Sequence, residues 1–208
     1  MTPVTSQAGF TILEMLVATV VFAVILLVLV VGVIALNNTF FKSTTQSNTQ
    51  AVARSIIDEL AHKIEFSSTV QPVLQNGSWK GFCVDNVMYD YQLNTQVSGT
   101  QHALVRTDNG SCLANAKTFT ATLPAGNTEL ISKNMRLGQL TITAGGAAGN
   151  MYDISIIVAY GDNDLLTDKN NKTPADAAFD WPSAHCKSTI GEQFCAVAPL
   201  TTTVMRRL

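Results

Sequence analysis

Hydrophobic and polar positions divide this chain into stretches of distinct texture. Residues 1–9, Met-Thr-Pro-Val-Thr-Ser-Gln-Ala-Gly, are short and polar, and Pro3 opposes a helix. From Phe10 to Leu36 the chain is almost continuously apolar, and Glu14 is its only ionisable side chain. As a helix this stretch rises about 40 Å, enough to cross a hydrocarbon core of about 30 Å. The polar segment Asn37–Gln50 follows without a Pro or Gly. Val52, Ile56, Leu60 and Ile64 then recur every four residues beside Ala53, Ile57 and Ala61, while Arg54, Asp58, Glu59, His62 and Lys63 fall largely elsewhere. That spacing puts one apolar stripe on a helix. The pattern predicts a single helix over 10–66, with its first half (10–36) in lipid and its amphipathic continuation (37–66) packed on a domain.

Pro72 and the Asn76-Gly77 pair end helical character, and the texture changes to short β-type runs. Candidate strands cover 80–93, 102–107, 117–123, 135–143, 151–160 and about 193–206. Turn signals separate them at Asp108-Asn109-Gly110, at Pro124–Asn127 and in the loop Ala144–Asn150. An acidic, amide-rich loop occupies 161–191. The expected class is α+β, a long N-terminal helix on an antiparallel β-sheet domain that spans 67–208.

Composition narrows the function. The 208 residues suffice for one domain and a membrane segment, and the net charge of -2 gives no reason to expect a nucleic-acid partner. Arg206-Arg207 at the C-terminus reads as a solvated strand edge. Cys83, Cys112, Cys186 and Cys195 all follow the apolar segment and lack metal-binding spacing. An even count there favours disulfides, with three pairings open and free thiols as the alternative. His62, His102 and His185 join no catalytic motif, and no enzyme activity or cofactor is expected. Trp79 and Trp181 are open to either a core or a surface role.

The decisive pattern is Gly9-Phe10-Thr11-Ile12-Leu13-Glu14 followed by about twenty apolar residues. It resembles the N-terminal signal of type IV prepilins and type II secretion pseudopilins. The resemblance implies the type IV pilin fold, a leader of residues 1–9, and cleavage after Gly9 by a membrane-embedded prepilin peptidase. It also implies N-methylation of the new terminus at Phe10. Glu14 places a carboxylate one turn into an apolar helix, where a charge needs a partner. In the family that partner is the N-terminal amine of a neighbouring subunit. An ordinary signal anchor and a secretory signal cut after Ala35 are alternatives. The leader lacks the Lys or Arg that most prepilin leaders carry.

By resemblance, the chain would wait in the cytoplasmic membrane with its domain outside and then join an extracellular filament. Its partners would be other pilin subunits, the peptidase and an assembly platform. Length and layout look like W-type minor pilins or J-type pseudopilins. A membrane-tethered binding protein that never polymerises is the competing reading. The expected pairing is Cys83–Cys112 and Cys186–Cys195, the latter closing a C-terminal loop like that of many pilins. Some pseudopilins bind calcium, which makes Asp162, Asp164 and Asp168 weak candidate ligands. The EF-hand alternation fails at Leu166, and a solvated loop is preferred.

Overall fold

The structure is a computed structural model that describes residues 9, 11–108, 112, 115–145, 150–188 and 191–207. Helix α1 runs from Ile12 to Glu65. The polar segment 37–50 does not interrupt it. No Pro or Gly lies there, and the hydroxyls of Thr39 and Thr49 turn back to the carbonyls of Ala35 and Thr45. The chain forms two compact units, one reaching Phe40 and the other covering Phe41–Leu208.

In the first unit, every described residue of α1 is exposed, including the whole apolar run. By length and composition α1 can cross a membrane. Thr19 sits within that run, and its hydroxyl donates to the Leu16 carbonyl at 2.9 Å. A polar group in an apolar stretch is thereby satisfied inside the helix.

In the second unit, α1 buries Thr49, Ala53, Ile56, Ile57, Leu60 and Ile64. The buried stripe centres on Ala53 and Leu60, and Val52 and Ala61 lie at its half-buried margins. It packs on two antiparallel sheets. The first is a meander of β1 (Val70–Asn76), β2 (Trp79–Val84), β3 (Val87–Gln92), β4 (Leu104–Thr107) and β5 (Asn127–Glu129). In the second, β7 (Met151–Tyr160) lies between β6 (Met135–Gly145) and β10 (Ala196–Met205). Phe82, Tyr89 and Leu104 from one sheet and Leu137, Ile154 and Ile156 from the other join the α1 stripe in one core. A two-stranded ribbon, β8 (Leu166–Thr167) with β9 (His185–Cys186), organises the loop before β10.

Several elements depart from the sequence reading. The expected strand 80–93 is a hairpin, turned at Asp85, which takes a left-handed φ of 52°. The Asp85 carboxylate accepts from the Ser68 and Thr69 amides at 2.9 Å each, tying the turn to the end of α1. β1 forms despite Pro72 because it is an edge strand, where a missing N–H costs no ladder bond. The alternating segment 117–123 makes no strand. It crosses the sheet face opposite α1 as a strap. The Lys117 amide donates to Asp90 Oδ1, the Ala116 amide to the Leu74 carbonyl, and the Ala121 carbonyl accepts from His102 Nε2.

Charged residues fasten α1 to the sheet. Glu59 Oε1 accepts from Tyr89 Oη and from Arg106 Nη1, each at 3.1 Å, and Arg106 Nη2 pairs with Asp108 at 2.9 Å. Arg206 and Arg207 are not merely a solvated edge. Arg207 pairs with Glu65 at 2.8 Å and its amide donates to the Glu65 carbonyl, while Arg206 reaches the Ser68 carbonyl. Two cations thus meet the helix C-terminus, where the dipole favours positive charge.

Trp79 and Trp181 both serve packing. Trp79 is buried with Val105 and Ala116 under Phe119. Trp181 covers Ala159 and Leu166, and its ring lies directly over Gly138, where a Cβ would collide. The ladder of β6 is irregular at that glycine.

Candidate functional site

The site begins where regular structure begins. Gly9 is exposed, and a methyl group added there would meet no atom within 4 Å. The missing side chain therefore answers no demand of the chain's own fold. Phe10 and residues 1–8 lie outside the described residues.

Thr11 is the cap of α1. Its hydroxyl oxygen accepts from the Glu14 amide at 3.3 Å, and Glu14 Oε2 accepts from the Thr11 amide at 3.2 Å and the Thr11 hydroxyl at 3.3 Å. This reciprocal arrangement is a capping box: two amide donors left over at the helix start are satisfied by two side chains. The sequence reading gave Thr11 no role, although Thr-x-x-Glu before an apolar run is a legible signal for one. The carboxylate also sits at the positive end of the helix dipole. Every residue from Ile12 to Leu36 is exposed, so Glu14 is the single charged side chain on an uncovered apolar rod. Such a surface is unstable in water and requires lipid or other apolar helices around it.

The cysteines form two disulfides, Cys83–Cys112 and Cys186–Cys195, each with Cα atoms 5.8 Å apart. The first ties the β2–β3 hairpin to the residue leading into the strap. The second closes a nine-residue separation that contains Glu192 and Phe194. Glu192 pairs with Lys42 at 2.9 Å, and the Phe194 ring lies 6.0 Å from that of Phe41. The C-terminal loop is thereby fixed against α1.

The three acidic candidates are not assembled around a common point. Asp162 and Asp164 are exposed, and Asp162 accepts from Gln96 Nε2 at 3.3 Å. Asp168 is buried and its carboxylate is taken up by backbone amides: those of Asn170 and Lys172 at 2.8 Å and that of Asp180 at 3.0 Å. Burial pushes this carboxyl upward, but the three amides outweigh it and hold it below its ordinary value. Asp168 organises its loop from within. Among the described residues, no group of three or more His, Cys, Asp or Glu side chains is placed to hold a metal ion.

Comparison with known proteins finds one family model, the prokaryotic N-terminal methylation motif, over residues 5–30. The match covers Gly9, Thr11, Glu14 and most of the exposed apolar run, and ends well before the β-rich unit. No curated protein and no solved structure matches the chain.

Proposed function

We infer, from a chain that belongs by its N-terminus to the type IV prepilin and pseudopilin family, that it is a structural subunit of a type IV pilus or related filament. The observation that carries this reading is one carboxylate, Glu14, at the start of the apolar run of α1, Ile12 to Leu36, whose surface is uncovered. Residues 1–9 are the leader, and prepilin peptidase cuts after Gly9. Cleavage frees the amine of Phe10, which is then methylated. In the cytoplasmic membrane the apolar helix spans the bilayer, and the β-rich domain lies on the outer side. An assembly platform lifts the subunit into the filament, where neighbouring helices replace lipid around residues 10–36.

Glu14 then exchanges part of its bonding to Thr11 for the N-terminal amine of a neighbour. In a water-poor helix core a single pair of opposite charges is far stronger than in water, so it fixes the axial position of each subunit. The layout, a disulfide-closed loop followed by the closing strand β10, supports a minor subunit over the principal one.

The test is incorporation of Glu14→Leu. Membrane insertion and cleavage are expected to persist, with the amount in sheared filaments falling at least ten-fold. Normal incorporation of that variant would remove the proposed role of Glu14. A wild-type protein that is uncut and absent from sheared filaments would instead be a membrane-tethered protein that never polymerises.

A further inference from the structure

The outer face of the five-stranded sheet carries an open cleft of about 610 Å³ between the β1–β2 turn, the segment leading from β3 to His102, and the strap. Its size falls within the range of small-molecule sites. We propose that this cleft binds the end of a neutral oligosaccharide.

The chemistry of the lining selects the ligand class. Asn76, Gln92 and Gln101 bring carboxamides to the cleft, and Thr118 and Thr120 bring hydroxyls. Each carboxamide offers a donor and an acceptor side by side, and each hydroxyl offers both. The hydroxyl groups of a sugar have the same dual character. Phe119 is half-buried and packs edge-on against the buried Trp79 ring, with ring centres 5.5 Å apart, so that its own uncovered part gives a sugar's C–H face a braced apolar surface to rest on.

Other ligand classes fit poorly. No Asp, Glu, Lys or Arg is among the described residues that line the cleft, so nothing there balances a phosphate, a nucleic acid, a sialic acid or a cation. A purely apolar ligand would strip water from the amides and hydroxyls without replacing its hydrogen bonds, which is costly. The one imidazole, His102, is already engaged by Glu129 at 3.2 Å and by the Ala121 carbonyl at 2.8 Å. It therefore holds the strap and is not available as a base.

The cleft is also supported from behind. Asn76 Nδ2 donates to the Ala116 carbonyl, and the Lys117 amide donates to Asp90, so both walls are tied to the sheet. This inference rests on the lining alone and holds whether or not the chain polymerises.

The experiment applies the full chain, in dimethyldodecylamine oxide micelles to avoid sugar-based detergent, to an array of neutral glucans, galactans, mannans and chitooligosaccharides. Sialylated and sulfated glycans are printed beside them. Retention on at least one neutral series is expected. Gln101→Ala and Thr118→Ala, both at exposed positions, should each weaken it at least five-fold. Thr141→Ala, on the other sheet, should leave it unchanged. Retention on no neutral glycan, retention on anionic glycans alone, or binding indifferent to both cleft substitutions would overturn the proposal.

Discussion

Thr11 and Glu14 bind each other through three hydrogen bonds before any neighbour is present. The N-terminal charge pair of a filament would therefore form by exchange, from a carboxylate already oriented at the helix start. Thr11→Ala should cost about 1 kcal/mol at the cap and so speed amide hydrogen exchange at Glu14 and Met15, the first-turn amides bonded to Thr11, by about five-fold in micelles. Unchanged exchange would show that the cap contributes nothing. A second residue, Asp90, behaves differently. It is fully buried on β3, and its Oδ2 has no partner among the described residues. Burial pushes its carboxyl up to about 6, against smaller lowering effects from the Lys117 amide and charge. Below about pH 4 the carboxyl is protonated in both folded and unfolded chains. Between about 4 and 6 the unfolded chain gives up its proton and the folded chain retains it, so stability falls as pH rises through that window. Once screening by water is allowed for, the loss should be about 2 kcal/mol between pH 4 and 7. Urea unfolding should show that slope in the wild type and a flatter one in Asp90→Asn.

At the scale of elements, the α1 stripe is the joint between helix and sheets. Leu60 is fully buried in the common core, and Leu60→Ala should destabilise the domain by about 2–5 kcal/mol, read as a lower urea midpoint. The disulfide-closed loop is a smaller contribution. Replacing Cys186 and Cys195 by Ala should cost about 2.5 kcal/mol by loop entropy and loosen the Lys42–Glu192 contact. The stripe was legible in sequence because a four-residue recurrence admits only one buried face. The hairpin within 80–93 was less legible, since Asp85-Asn86 interrupts an otherwise continuous β-type run without a Gly or Pro. The strap at 117–123 was misread for a different reason. Its alternation is that of a strand, but its amide bonds go to Asp90 and Leu74 in place of a regular ladder. Such pairing depends on residues far away in sequence, and no local period reveals it. The capping box is legible in Thr11-x-x-Glu14 before the apolar run, but the same carboxylate also fits the expected charge pair, and the sequence does not separate the two roles.

For the whole molecule, the two units answer to different surroundings. The β-rich unit has a closed core, two disulfides and its own polar fastenings at Glu59 and Glu65. The unit ending at Phe40 has no buried residue among those described and depends on lipid or on neighbouring helices for its apolar surface. One charge, Glu14, is what distinguishes that helix from a plain anchor. Its proposed partner exists only after a cut that exposes the amine of Phe10, so the chemical state of the N-terminus tests the central claim most directly. Mass spectrometry of the protein recovered from its native host should find a chain that begins at N-methylated Phe10. A chain that begins at residue 1, or one that begins at Leu36, would contradict it.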